Sequence, residues 1–234
     1  MVVRDRIAII PARGGSKRIP GKNIADFNGR PMIAWTIDAA LESQVFDRVV
    51  VSTDDDKIAS VARECGVDVP FLREVCADDH APVSAATLHA LEQSERHYRE
   101  TYHIVCQLMP NCPLRTVGDI VDACCAFDES DASFQISCFR FGWMNPWWAA
   151  RLDEEGRPER LFPEITDKRS QDLDKLYCPT GAIWLAAVDA FKLAGTFYGP
   201  SHRFQPVNWK SAIDIDDIDD MEMATAVARL AAKR

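Results

Sequence analysis

No apolar run in this chain approaches the roughly 18 to 20 residues that a membrane-crossing helix needs. The opening MVVRDRIAIIPARGG carries charges where a secretory leader would place its apolar stretch, so a cytoplasmic protein is expected. Excess positive charge is also lacking: 27 Lys+Arg face 36 Asp+Glu for a net charge of -9, and nothing global draws the chain to nucleic acid or an anionic membrane. Glycine and proline are scarce, 11 and 13 in 234 residues, which excludes fibrous and low-complexity classes. The eight cysteines include no CxxC pair; they read as reduced thiols, and the adjacent Cys124 and Cys125 suit a buried helix face better than a bridge.

With 47% hydrophobic and 27% charged residues, the chain has material for a core without staples, and one domain spanning 1–234 is the expected count. Residues 7–10 (IAII) read as a strand buried on both faces and closed by Pro11. Pro31 introduces MIAWTIDAALES, whose apolar positions recur at helical spacing. DRVVVST (47–53) reads as a second strand, and Thr53 or Asp54 can cap the helix DDKIASVAREC, which Gly66 ends. HIVCQLM (103–109), SFQISC (133–138) and AIWLAA (182–187) read as strands, VGDIVDACCAFDE as a helix. This alternation predicts an α/β fold with a mostly parallel sheet and helices on both faces. Residues 140–178 break the rhythm with Trp143, Trp147, Trp148 and a charged run. They read as an excursion from the sheet that serves a homodimer or a lid.

Two segments carry chemistry. In PARGGSKRIPGKN (11–23), Arg13, Lys17, Arg18 and Lys22 place four positive charges in ten residues of an acidic protein. The loop leaves the carboxyl end of the first strand, where ligands bind in open α/β sheets, and Gly14 and Gly15 let backbone amides approach phosphate oxygens. It is not a Walker A loop: five residues, not four, separate Gly15 from Gly21, and Asn23 stands where that loop has Ser or Thr. There is no GxGxxG. In SAIDIDDIDDMEMA (211–224), five aspartates fall in seven positions. If IDID is extended, Asp214 and Asp216 point to one side, as a pair holding a hard cation such as Mg2+ would. Asp217, Asp219 and Asp220 read as capping and solvated residues of a last helix. Spacing rejects an EF-hand. The two segments together point to metal-assisted chemistry on a nucleoside triphosphate. The five histidines form no ligand or triad spacing.

PARGGSKRIPGKN, FDRVVVSTDDDKIASVA, VPFLR, MPNCPLR, PTGAIW and IDIDD occur in the order found in acylneuraminate cytidylyltransferases, and the chain resembles that family over nearly its whole length. The resemblance implies a Rossmann-like fold of the nucleotide-diphospho-sugar transferase type with a small dimerisation excursion at about 140–178. It implies a Mg2+-dependent reaction in which the anomeric hydroxyl of a nine-carbon 2-keto sugar acid attacks the α-phosphate of CTP, and a homodimer. It places Ala12, Arg13, Gly14, Gly15, Ser16, Lys22, Asn23 and Arg73 at the nucleotide, with Arg13, Lys22 and Asp214 catalytic and Asp214 and Asp216 on the metal. On the sugar it places Met109, Arg169, Gln171, Trp184, Phe197 and Tyr198. Met109 stands where the sialic acid enzymes have a glutamine, Trp184 where they have a tyrosine, Trp148 lies near the position of a substrate-binding lysine, and RSQDL (169–173) has one residue more than RQDL. KRIPGKN, the DDHAP run at 78–82, PWWA and RSQDL look more like enzymes for pseudaminic or legionaminic acid, whose lower polarity suits Met109 and the tryptophans. PTGAIW leans toward the sialic type. The alternatives are a CMP-Kdo synthetase, or a catalytically silent nucleotide-binding module of the same fold.

Overall fold

The computed structural model describes residues 1–75, 82–142, 144–165 and 167–231; Cys76, most of the DDHAP run, Trp143 and Thr166 lie outside them. Strand β1 (Val2–Pro11) is followed by a small ribbon of β2 (Asp26–Phe27) and β3 (Arg30–Pro31), then α1 (Met32–Ser43), β4 (Arg48–Ser52), α2 (Asp56–Glu64), α3 (Val83–Tyr98) and β5 (Glu100–Gln107). Next come α4 (Val117–Asp128), β6 (Phe134–Arg140), a hairpin of β7 (Ala150–Leu152) and β8 (Pro158–Arg160), β9 (Tyr177–Ala187), α5 (Val188–Ala194), β10 (Arg203–Pro206) and α6 (Ile218–Ala231). The main sheet has the order β10-β6-β9-β5-β1-β4. All its pairings are parallel except those of β9, which runs antiparallel to both neighbours.

The period of two along β1 divides the core. Ala8 and Ile10 face one layer with Ile33, Ile37, Ile58, Ile120 and Phe127 from α1, α2 and α4. Ile7 and Ile9 face the other, with Leu91 of α3, Phe191 of α5 and Phe197. Helices therefore cover both faces, as the buried run IAII requires. A third cluster, Phe27, Met32, Ile213, Ile215 and Ala224, seats the segment that leads into α6 beside the main sheet.

Several local expectations need revision. Asp55, not Thr53 or Asp54, caps α2: its carboxylate accepts from the Lys57 and Ile58 amides. Thr53 instead accepts from the Asp55 amide. Cys124 and Cys125 do not share a buried face, since consecutive helical residues point about 100° apart; Cys124 is buried and Cys125 exposed. Helix α3 carries a weak apolar signal because its buried face is built from Ser84, Ala86, Thr87, Ala90, Leu91 and Ser94. Thr87 and Ser94 hide their hydroxyls by donating to the carbonyls of Val83 and Ala90, which makes polar residues acceptable in the core.

Between β6 and β9 the chain leaves the sheet, as its lack of periodicity predicts. Trp147 joins the two ends of this excursion: its indole N–H donates to the Asp174 carbonyl and its ring lies 4.9 Å from that of Phe162. Met144, Trp148, Leu152, Leu161 and Tyr177 stay exposed on it. No described helix is long and apolar enough to cross a membrane.

Candidate active site

Because β1, β4 and β5 are parallel, the loops that follow them emerge together at one edge of the sheet. The antiparallel β9 brings its early residues to the same edge, where the Met109 amide donates to the Gly181 carbonyl. These loops enclose a cleft of about 560 Å³ lined by Arg13, Ser16, Lys17, Arg18, Lys22, Asn23, Arg73, Met109, Asn111 and Asp216, among others. Among the described residues, five cationic side chains and one carboxylate face the same space, a charge balance suited to a polyphosphate.

The basic loop is fixed at both ends. Ala12 is buried, and its amide donates to the Ser52 carbonyl, extending the β1–β4 pairing. The Gly14 amide donates to Asp54 Oδ1 at 3.0 Å, and Arg73 Nη2 lies 3.7 Å from the same oxygen. A Cβ on Gly14 would stand 2.7 Å from Asp55 Oδ2, so only glycine allows the loop this close to the α2 cap. Asn23 is buried and donates to the Arg13 carbonyl at 2.9 Å, bracing the loop from its far side. Gly21, at φ +63°, supplies the left-handed residue before the turn Lys22–Ile24. Gly15 lies in the loop between these anchors, and the Ser16 amide donates to the Gly14 carbonyl.

The acidic segment reaches the same cleft from the other end of the chain. Lys22 Nζ donates to the Ile215 carbonyl at 2.7 Å and to Asp216 Oδ1 at 3.0 Å; Arg18 Nη2 lies 2.7 Å from Asp216 Oδ2. Burial opposes ionisation of Asp216, but the Lys22 and Arg18 contacts outweigh it and hold the carboxyl below its usual range. Asp214 has no such cation in contact among the described residues. Its carboxylate reaches solvent in a recess crowded by protein, and desolvation together with the neighbouring Asp216 pushes its pKa up to about 6. Asn111 donates to Asp214 Oδ1. Its carboxamide also faces the Ile215 carbonyl at 3.2 Å and Asp216 Oδ1 at 3.5 Å. The two carboxylates therefore converge on one side, although residues 213–216 form no strand.

The residues expected at the nucleotide and the acid pair come together at this edge; those expected at the sugar do so only in part. Met109 lines the cleft and packs on Gly181, where a Cβ would meet Met109 Cγ at 2.9 Å. Trp184 is half-buried on the α3/α5 side of the sheet, its indole N–H donating to the Thr180 carbonyl at 2.7 Å. Phe197 is fully buried against Phe191 and Trp184, and Tyr198 stands outside it, edge-on to Trp184. These three form an aromatic cluster that runs from the core to the surface and does not line the cleft. Arg169 and Gln171 are exposed on the excursion; Gln171 lines a second, open hollow of about 530 Å³ with Arg140, Asn145 and Trp209.

Asn111 and Asp54 are the site residues that the sequence reading passed over. Asn111 lies inside MPNCPLR, and its position two residues after Met109 was the available signal. Asp54 looked like a helix cap. Arg115, in the same motif, is fully buried without a carboxylate partner among the described residues and donates to the Ala182 and Met109 carbonyls, holding the 109–111 turn against β9.

A family profile described as "Cytidylyltransferase" matches residues 7–140. The pseudaminic acid cytidylyltransferase of Campylobacter jejuni strain 81-176 is 36% identical over 222 residues, covering 93% of this chain and 94% of its own. The CMP-N,N'-diacetyllegionaminic acid synthase of Legionella pneumophila strain Philadelphia 1 is 32% identical over 223 residues, covering 91% and 90%. In architecture the chain is similar to a CMP:2-keto-3-deoxy-manno-octonic acid synthetase solved with CTP, at a TM-score of 0.71 and 17% identity over 97% of this chain and all of that one.

Proposed function

From the premise that the chain belongs to the cytidylyltransferase family, we propose that it transfers CMP from CTP to the anomeric hydroxyl of a nonulosonic acid, releasing pyrophosphate. The observation that carries this is the convergence of Lys22, Arg18 and Asp216 at one cleft edge, which ties the polyphosphate loop to the acid pair across the whole chain. In the reaction the sugar oxygen forms a bond to the α-phosphorus, the bond between α-phosphorus and its bridging oxygen breaks, and the hydroxyl proton passes to solvent. Arg13, Lys17, Arg18 and Lys22 stabilise the charge that builds on the phosphate oxygens. Ser16, Asn23 and the Gly14 and Gly15 backbone keep that loop in place, and Arg73 faces the nucleotide from beside Asp54. When CTP enters, Lys22 and Arg18 exchange Asp216 for phosphate, which leaves the carboxylate without its cations.

The acid pair fits a magnesium ion. Its donors are hard oxygens, both carboxylates lie within reach of the Asn111 carboxamide, and among the described residues the buried Asn111 Oδ1 has no partner. Asp214 and Asp216 would hold the ion, which when bound would neutralise phosphate charge and polarise the attacking oxygen.

For the sugar, Met109 beside Gly181 offers an apolar wall where a glutamine would donate and accept hydrogen bonds. That favours a less polar acid, pseudaminic or legionaminic before N-acetylneuraminic. The likeness to the 2-keto-3-deoxy-manno-octonic acid enzyme, at 17% identity, concerns the fold alone. The exposed apolar side chains of the excursion support pairing of two copies, with Arg169 and Gln171 reaching the sugar only in such an assembly; cytoplasmic residence belongs to the same reading. Asp214→Ala should lower pyrophosphate release at least 100-fold while CTP binding, followed by titration calorimetry, persists. Unchanged turnover would overturn the assignment.

A further inference from the structure

The MPNCPLR turn brings one more oxygen to the acid pair than the two aspartates supply. Asn111 is 5% exposed, and its backbone is fixed because its carbonyl accepts from the Ile215 amide at 2.8 Å. Its side-chain nitrogen sits among three oxygens: Asp214 Oδ1, the Ile215 carbonyl and Asp216 Oδ1. An amide NH2 has two protons, so it serves these acceptors as a small cation would, by occupying the point where they converge. The other end of the same carboxamide, Oδ1, is buried and has no hydrogen-bond partner among the described residues. A buried carbonyl-type oxygen left without a donor is costly, and turning the carboxamide over would put it to use.

We propose that Asn111 is a third protein ligand of a divalent cation held by Asp214 and Asp216, and that its carboxamide turns over as the cation arrives. In the cation-free state Nδ2 holds the two carboxylates together. A half-turn about the terminal side-chain torsion, which is broad and roughly two-fold, exchanges the ends and sets Oδ1 toward the ion. Amide oxygens are hard donors, ordinary ligands of calcium and of the same oxygen chemistry that magnesium takes. The same rotation gives the orphaned acceptor a partner, removes a positive dipole from the place the ion takes, and turns the NH2 to the side that Oδ1 leaves. Binding of the ion and release of the amide are then one event, and the acid pair remains gathered at every stage. A threonine or serine at this position could not bridge both carboxylates through two protons, and an aspartate would add a third repelling charge.

This rests on the assignment of the acid pair to a cation and is independent of which sugar is used. The test is Mn2+ binding to the nucleotide-free protein, read from the free-Mn2+ paramagnetic resonance signal, for wild type, Asn111→Ala and Asp214→Asn. A coordinating Oδ1 makes Asn111→Ala bind roughly tenfold more weakly than wild type, a loss on the scale seen when groups around a metal site are removed. If the amide only competes with the ion for the carboxylates, Asn111→Ala binds as tightly or more tightly, and the proposal falls. It falls equally if wild type shows no saturable binding that Asp214→Asn removes. Should Asn111→Ala fail to fold, wild-type protein with ¹⁵N-labelled asparagine settles the question. Diamagnetic Mg2+ should shift the Asn111 side-chain NH2 resonances out of their hydrogen-bonded position, and unshifted resonances at saturating Mg2+ overturn the turnover. Because no nucleotide or sugar is present, this outcome is separate from that of the transferase assay: a silent enzyme that passes this test loses its proposed reaction but keeps its cation site.

Discussion

The close approach of the basic loop to helix α2 makes Gly14 a sensitive position whose effect can be dissected. A methyl group there would stand 2.7 Å from Asp55 Oδ2 and 2.9 Å from Asp55 Cβ, well inside contact distance. Two movements relieve it. If Asp55 retreats, the α2 cap is lost, because Asp55 Oδ1 accepts from the Lys57 and Ile58 amides at 2.7 and 3.1 Å; such a cap contributes about 1 kcal/mol. If the loop retreats, the 3.0 Å bond from the Gly14 amide to Asp54 stretches, and a displacement of about 1 Å at a phosphate-binding loop can cost about 100-fold in kcat/KM. Overpacking of this kind costs about 1–3 kcal/mol in all. The second substitution must remove the Asp55 Cβ as well as its carboxylate, which Asp55→Gly does, and glycine at a cap position costs only a few tenths of a kcal/mol, about 0.5 at most. Gly14→Ala, Asp55→Gly and the double variant, compared by urea denaturation and pyrophosphate release, form a closed cycle. Gly14→Ala should be the worst in both assays. The double variant should recover turnover toward that of Asp55→Gly, with a coupling of about 1 kcal/mol or more in stability. Additive effects, or a fully active Gly14→Ala, would refute the contact as the reason for glycine.

Other expectations follow from particular contacts. Asp214→Asn removes a charge that the fold holds with difficulty, being buried beside Asp216; it should raise the unfolding free energy by about 1 kcal/mol, since solvent at the carboxylate screens part of the shift, and abolish turnover. Calorimetric melting that shows no gain in stability would contradict this. Glu100 is buried and its pKa is lowered to about 2, first by hydrogen bonds from Arg48 against the opposing cost of burial, then by Tyr102 and Arg4. Because the folded value lies below the unfolded one, this stabilisation is full above pH 4.5 and is lost as pH falls toward 2. Glu100→Gln should therefore cost about 1–2 kcal/mol at pH 7 after discounting for its half-solvated arginine partners, with the difference from wild type vanishing near pH 2; a pH-independent gap would refute the account. Gly181→Ala should push Met109 aside and raise the KM for the sugar acid several-fold, with the KM for CTP unchanged; equal changes in both would refute the placement of Met109 on the sugar side.

Five strands of the main sheet and most helices were legible because each buries one kind of side chain at one period: Ile7 to Ile10 cannot be exposed on either face of a strand, and the apolar stripe of Met32–Ser43 fits only a helix; the edge strand β10, with Phe204 exposed and Gln205 half-buried, gave no such signal. Helix α3 was not legible, since its inner face uses Ser, Thr and Ala, whose hydroxyls find partners in the helix backbone and, for Thr87, on Gln107, and give no apolar period. The antiparallel β9 carries the same composition as a parallel strand, so its direction is a property of connection, not of residue type. At the site, unusual charge density betrayed both halves: four cations in ten residues, and five aspartates in seven of which Asp217 and Asp220 cap the last helix while Asp214 and Asp216 do not. Asn111 and Asp54 stayed hidden because a lone amide and a carboxylate at a helix start look ordinary until the fold shows what they touch. Phe197, expected at the sugar, lies in the core because an aromatic residue after a short helix serves either purpose equally well on composition alone.

The most direct test of the central claim is pyrophosphate release from CTP and Mg2+ with pseudaminic, legionaminic, N-acetylneuraminic and 2-keto-3-deoxy-manno-octonic acids in parallel. The account predicts turnover with a nine-carbon acid, fastest with pseudaminic or legionaminic acid, and loss of that turnover in Lys22→Met. Turnover confined to the eight-carbon acid, or silence with all four despite measurable CTP binding, would contradict it.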